Sequence, residues 1–254
     1  MCFICKDKNA VHDTHNEPQP ARRSLLKYFG AAPLVMGGMG LNFSAHAQYV
    51  KDLPRPNNIL TPDEALKRVI EGNERYVSGK TTTTNFQISS EKFAKAQNPY
   101  VSVLSCADSR VSPESTFDED RGDVFVTRVA GNYVSMDILA SLEYGSAVLG
   151  VPLIVVLGHT DCGAMKATIK AKLDNAAFPG HIQMITTALG DAVDEAEKIP
   201  GDLLENTTKA NIKINVDRLN GATPILRGLV AQGKLKVVGM LYNLKTGKLE
   251  MVNS

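Results

Sequence analysis

The sequence predicts a single α/β domain, a mostly parallel central β-sheet with helices on its faces. Three observations point there. Short β-rich runs alternate with segments of helical periodicity along most of the chain. One run, residues 152–157, is apolar without interruption, as expected for a strand buried on both faces. The 254 residues, 43% of them apolar, are enough to bury one large core without covalent staples.

Each element follows from local signals. Residues 48–60 are polar, carry Pro54 and Pro56, and read as an extended arm. Thr61-Pro62-Asp63-Glu64 opens a helix, with Thr61 as N-cap, Pro62 in the first turn and Glu64 closing a capping box. Leu66, Val69, Ile70 and Tyr76 or Val77 continue at helical spacing until Gly79 ends it. A loop is expected at 81–85. Residues 100–104 and 124–128 are short β-rich runs. Ser135 starts a helix that reaches about Val148, and 152–157 is the central strand. Helical patterns recur after Gly163, over 182–198, and over 208–232 with a break at 221–224. Residues 235–244 form the last long strand, and Thr246-Gly247 turns the chain into 249–252. There is no internal repeat and no sign of a second domain.

Composition narrows the function. A formal net charge of +1 argues against a dedicated nucleic-acid binder or a polybasic membrane-surface protein. No apolar run reaches the roughly 18 residues of a membrane-spanning helix. Four cysteines are too few for a disulfide scaffold, so each is read by its neighbours.

The first 47 residues read as an export signal of the twin-arginine type. Arg22-Arg23-Ser24-Leu25-Leu26-Lys27 supplies the basic region. A glycine-diluted apolar stretch runs from Tyr28 to Leu41, and Ala45-His46-Ala47 offers a cleavage site before Gln48. The alternative is an internal amphipathic helix, for which Gly30, Gly37, Gly38 and Gly40 are poor material. The expected location is therefore periplasmic or otherwise outside the cytoplasm, with no stable membrane anchor. Cleavage would leave 207 residues with 23 basic and 24 acidic side chains, a formal charge of −1. Cys2-x-x-Cys5 with His12 and His15 superficially resembles a metal site, but its spacing is not that of a standard finger and it lies in the segment to be removed. Cys106 and Cys162 then remain.

The chemistry gathers behind two strands, where ligand sites in such folds form. Cys106-Ala107-Asp108-Ser109-Arg110 follows the 100–104 strand, and His159-Thr160-Asp161-Cys162-Gly163 follows the 152–157 strand. If those strands are neighbours, two thiols and an imidazole converge. That set is one zinc prefers, with a fourth position left open. Zinc lowers the pKa of a bound water to about 7, which supplies hydroxide at neutral pH. The alternatives are a Cys106–Cys162 disulfide and a hydrogen-bonded structural His159. Arg110 lies two residues from Asp108 and can hold its carboxylate ionised and oriented. Asp108 could then accept a hydrogen bond beside the metal, take the open coordination position itself, or belong to a plain loop ion pair.

Cys106-x-Asp108-x-Arg110 with His159-x-x-Cys162 resembles the metal signature of the β-class carbonic anhydrases. The likeness extends through Glu71-Gly72-Asn73-Glu74-Arg75-Tyr76, Arg128-Val129-Ala130-Gly131-Asn132, Ser141-Leu142-Glu143-Tyr144-Gly145 and the stretch from Val238 to Gly247. The resemblance implies one Zn2+ per chain on Cys106, His159 and Cys162, with Asp108 and Arg110 as the catalytic dyad. It implies reversible hydration of carbon dioxide to bicarbonate and a proton by zinc-bound hydroxide. Gln97, Phe125 and Tyr144 match residues around the substrate, and a backbone N–H near Gly163 could stabilise charge on oxygen. A homodimer or higher homo-oligomer with pockets at the subunit interface is implied as well. One departure stands out. A second bicarbonate site of some members uses a tryptophan where this chain has Val103, so that site looks incomplete although Arg128 and Tyr144 are present. No histidine stands out as a proton shuttle, His181 included. Rival readings are a carbon disulfide or carbonyl sulfide hydrolase on the same fold, a zinc protein closed by Asp108 and without activity, and a thiol–disulfide protein.

Overall fold

The computed structural model describes residues 60–82 and 97–252. The export signal and most of the extended arm lie outside the described residues, as do most of the loop expected at 81–85 and the N-terminal Cys2, Cys5, His12 and His15. Among the described residues, no helix is long and apolar enough to cross a membrane.

Helix α1 (Pro62–Val77) begins as its sequence dictates: Glu64 N–H donates to Thr61 Oγ1, and the Glu64 carboxylate accepts from the Thr61 N–H at 2.7 Å. Ser78 caps its end and Gly79 follows at φ +69°. Next come β1 (Val101–Ser105), a short α2 (Pro113–Thr116), β2 (Val124–Arg128), α3 (Met136–Ala147) and β3 (Leu153–His159). The second half contains α4 (Gly163–Leu173), α5 (Ile182–Ala188), α6 (Gly190–Ala196), α7 (Leu203–Gly221) and α8 (Leu226–Ala231). It closes with β4 (Lys236–Tyr242) and β5 (Leu249–Val252).

The strands form one sheet in the order β2-β1-β3-β4-β5. The first three pairings are parallel, and β5 runs antiparallel to β4 at the edge. This is the α/β class the sequence predicts. Strand periodicity divides the core in two. Val101, Val103, Leu153, Val155, Leu157, Val238 and Met240 face α1 residues Ala65 and Val69 on one side. Leu104, Ile154, Val156, Val237 and Leu241 face Leu142 of α3, Ile212, Val216 and Leu219 of α7, and Leu226 of α8 on the other. The α7 contact is close because both strands yield a glycine to it. A Cβ on Gly239 would stand 2.4 Å from Ile212 Cγ2, and one on Gly158 would stand 2.7 Å from Ile212 Cδ1. On the α1 side, buried Asn73 donates to the Thr116 and Gly247 carbonyls and accepts from Leu249 N–H, tying the helix to the final turn.

Several boundaries differ from expectation. The central strand continues through Gly158 to His159, because main-chain pairing to β4 continues to Tyr242. The helix expected over 182–198 is two helices joined at Leu189, whose buried side chain packs with the two cysteines. Helix α7 starts at Leu203 rather than near Thr208, since Asp202 accepts from Glu205 N–H at 2.7 Å and caps it. The expected break at 221–224 is present: α7 ends at Gly221 and α8 begins at Leu226. Helix α2 was not expected. Its signal is Ser112 as N-cap before Pro113.

Candidate metal centre

Strands β1 and β3 are neighbours, with Ser105 opposite Leu157. Cys106 is the first residue past β1, and His159 is the last of β3. Between His159 and Cys162 the chain turns through Asp161, whose φ of +59° is one that aspartate tolerates better than most residues. Cys162 then stands at the N-cap of α4, where the positive end of the helix dipole faces its sulfur. The Cys106 and Cys162 sulfurs and a His159 ring nitrogen all lie within 4.8 Å of one another, and all three residues are buried.

The donor geometry fits zinc. Both cysteines are free, with 4.0 Å between the sulfurs. A disulfide needs about 2.05 Å, whereas two thiolates on a tetrahedral zinc at about 2.3 Å each stand roughly 3.8 Å apart. His159 Nδ1 lies 2.9 Å from the Thr160 carbonyl and serves as its donor, so Nε2 carries the free lone pair. That Nε2 is buried and has no hydrogen-bond partner. A buried polar atom in this state is costly unless something occupies the space before it.

Electrostatics favours an anionic sulfur. The Cys162 thiol donates toward Cys106, and Gly131 N–H donates to Cys106 Sγ at 3.3 Å, so Cys106 is held well below the usual thiol range. Cys162, sharing that interaction and buried, is pushed the other way. Burial works against charge on His159, but the Cys106 sulfur and the Asp108 carboxylate outweigh it and shift the ring upward.

Asp108 and Arg110 form a dyad. Asp108 Oδ1 accepts from the Arg110 backbone N–H and from Nε, both at 2.9 Å, and Oδ2 accepts from Nη2 at 2.7 Å. The guanidinium holds the Asp108 carboxyl well below the ordinary carboxylate range. Arg110 also reaches the next loop, with Nη2 3.4 Å from the Asp161 carbonyl and Nη1 3.7 Å from its carboxylate, which Lys166 pairs as well. Asp108 stands outside the compact donor group, and its Oδ2 is 3.8 Å from His159 Nε2. The structure thus places the carboxylate on the arginine, not among the ligands where the sequence also allowed it.

Of the remaining expected residues, Gly163 adjoins the centre, while Phe125, Tyr144 and Gln97 lie elsewhere in the protomer. Phe125 pairs in register with Ser102, four residues before Cys106 and about 13 Å from it along the sheet. Tyr144 on α3 meets it, with ring centroids 6.3 Å apart, and is 46% exposed. Gln97 is exposed and lies beyond the opposite end of β1, where Asn98 N–H bonds to Gly122 O. Gly163 is the first residue of α4, and a Cβ there would meet nothing within 4 Å, so the space beside that helix start is open. Val103 is fully buried in the core. Arg128 donates to the Cys106 carbonyl at 3.0 Å and to the Asp108 carbonyl at 2.6 Å, which holds the dyad loop against β2. The sequence assigns no role to Gly131 or Asn132. Gly131 holds the Cys106 sulfur, and the Asn132 amide is buried with neither end partnered, a setting that suits an ordered water.

An α/β sheet carrying two thiols and an imidazole past adjacent parallel strands, with a carboxylate–guanidinium pair beside them, defines a class of α/β enzymes with a candidate metal site. Residues 101–249 match the family model described as Carbonic anhydrase. The chain is 36% identical over 199 residues to a carbonic anhydrase of Mycolicibacterium smegmatis, covering 77% of this chain and 95% of the relative. It is 33% identical over 188 residues to carbonic anhydrase 2 of Mycobacterium tuberculosis, covering 74% and 91%. Among solved structures, a Coccomyxa β-carbonic anhydrase in complex with acetazolamide superposes with a TM-score of 0.58 at 30% identity, covering 74% of this chain and 86% of that one. A β-carbonic anhydrase of Sordaria macrospora, described as tetrameric, shares the fold with a TM-score of 0.59 at 22% identity, covering 74% and 97%. The chain belongs to the β-class carbonic anhydrase family.

Proposed function

We propose that this protein catalyses the reversible hydration of carbon dioxide with one zinc ion held by Cys106, His159 and Cys162. The observation that carries the reading is the donor group itself: three buried ligand atoms within 4.8 Å, one of them an orphaned imidazole nitrogen, beside an intact Asp108–Arg110 pair. Two thiolates and a neutral imidazole balance the charge of Zn2+ and leave one position of a tetrahedron for solvent. Zinc, when bound, supplies the Lewis acidity that makes hydroxide available near neutral pH. The protein's own groups do the rest. Arg110 keeps Asp108 ionised and turned away from the ligands. Asp108, acceptor-only in that state, can hold the proton of the attacking water and aim its lone pair at carbon dioxide. A backbone N–H near Gly163, at the start of α4 where the space is open, can steady negative charge developing on oxygen.

Gln97 enters this scheme only in an assembly. β1 alone spans about 17 Å, so a Gln97 that meets substrate meets the substrate of another copy of the chain. A homo-oligomer with pockets between copies is supported by that separation and by the tetrameric description of one structural neighbour. We infer, from Arg22-Arg23 and Ala45-His46-Ala47, that the chain is exported by a twin-arginine route and cleaved before Gln48. Replacing Arg22 and Arg23 with lysine should leave the folded protein in the cytoplasm. N-terminal sequencing of exported protein that starts far from Gln48 would refute the cleavage site. The activity is tested by stopped-flow carbon dioxide hydration across pH on protein of measured zinc content. Zinc-loaded protein that leaves the uncatalysed hydration rate unchanged at every pH would refute the reading.

A further inference from the structure

Each of the three donors is backed by main chain, but Cys106 differs in one respect. One of the peptide N–H groups that bond its sulfur belongs to Gly131, and Gly131 is held by a side chain from a distant helix. Asn211, in the middle of α7 and 2% exposed, donates from Nδ2 to the Gly131 carbonyl at 3.0 Å. One turn on, Asn215, 1% exposed, accepts the Val134 N–H at 2.7 Å. The two amides also bind each other: Asn215 Nδ2 donates to the Asn211 carbonyl at 2.8 Å and to Asn211 Oδ1 at 2.9 Å. Residues 131–134 are thereby stapled to α7 at both ends. Gly131 is confined on its remaining side too, since a Cβ there would lie 2.5 Å from Leu189 Cδ1. Its φ of +84° is one that only glycine adopts without strain.

We propose that Asn211 is a positioning residue of the metal centre, acting through Gly131 to hold the Cys106 sulfur in its ligating orientation. The inference rests on the zinc reading above. The chemistry requires an amide at this place. A buried donor must reach a carbonyl while its oxygen accepts from Asn215, and neither an apolar side chain nor a carboxylate does both. Helix α7 is seated on β3 and β4 by Gly158 and Gly239, so the amide's position is set by the core, not by the loop it supports. Hydrogen bonds that orient a ligating group typically change metal affinity 10- to 100-fold when removed.

The test uses the full chain and two metals. Asn211→Asp keeps the shape and removes the donor, and Asn211→Ser withdraws the group from reach of Gly131. Ile212→Val, the next residue on the same helix, is the packing control. Zinc affinity by competition with a chelator should fall roughly 10- to 100-fold in both Asn211 variants. The thiolate-to-metal charge-transfer band of the cobalt-substituted protein should shift as well. Ile212→Val should lower Tm while leaving affinity and band at wild-type values. Folded Asn211 variants with wild-type affinity and band would overturn the proposal. So would failure of both to fold while Ile212→Val folds, because the amide would then serve stability alone. A wild-type chain that takes up no zinc would instead refute the metal reading on which this one rests.

Discussion

Asp108 Oδ2 accepts a 2.7 Å hydrogen bond from Arg110 Nη2 while standing 3.8 Å from His159 Nε2. The carboxylate is therefore within a small rotation of the ligand group, and the Arg110 guanidinium, together with the Arg110 backbone N–H, holds it facing away. Arg110→Ala should abolish most carbon dioxide hydration while zinc stays bound, because all three donors survive. Arg110→Lys should restore little, since an ammonium cannot reproduce the paired Nε and Nη2 contacts. Stopped-flow rates beside elemental analysis check both statements. Near-wild-type rates in Arg110→Ala would reduce the dyad to a loop ion pair.

Removing a donor should have the opposite pattern. Cys162→Ser is expected to lose zinc and activity together, because two protein ligands do not close the site. Elemental analysis after dialysis should give one zinc per wild-type chain and well under half an equivalent in the variant. A Cys106–Cys162 disulfide in peptide mapping of the wild-type protein would contradict the arrangement.

Gly239→Ala should destabilise the fold by about 1–3 kcal/mol, the usual cost of forcing an extra methyl into a packed core. The new Cβ would meet Ile212 Cγ2 at 2.4 Å. Ile212→Ala in the same chain should recover part of the loss caused by Gly239→Ala. Urea unfolding of the two single variants and the double variant measures this as a thermodynamic cycle, and simple additivity would argue against the contact.

Two phenols predict the response to alkali. Burial, then the Glu119 carboxylate, pushes Tyr100 up, and burial with the Tyr76 hydroxyl pushes Tyr242 up to about 12. In the unfolded chain both titrate near 10. Above about pH 10 the unfolded state loses protons that the native state keeps, so the stability these groups contribute is complete below pH 10, and the Tyr242 share declines through about pH 12. Denaturant midpoints between about pH 9 and 12 should fall. Tyr242→Phe should flatten that fall, and an unchanged slope would show that Tyr242 does not drive it.

Much of this was legible in the sequence, for reasons particular residues make plain. Thr61, Pro62 and Glu64 are local signals and specify a helix start without help from the rest of the chain. His159 and Cys162 sit three apart on one turn, and their convergence with Cys106 needed only that β1 and β3 be neighbours. What escaped was set by tertiary contact. Leu189 divides what reads as one amphipathic segment because its side chain is needed beside the cysteines. Asp202 was a readable cap that the apolar pattern starting later obscured. Gln97, Phe125 and Tyr144 came by resemblance, and within one protomer the sheet places them away from the thiols. Asn211 carries no sequence signal, since a polar residue in an amphipathic helix normally means a solvated face.

The pairing of β1 with β3 also fixes an order of events in time. Cys106 and Cys162 are 56 residues apart in sequence and meet only once two parallel strands have joined across an intervening strand and two helices. Parallel pairings of this kind close long loops and form late in folding. An unfolded chain therefore presents no three-donor site, and the metal's binding free energy is added after the topology exists. Zinc held at this site would work as a latch on a finished sheet. It would slow the reverse reaction, unfolding, and leave the rate of collapse to the core.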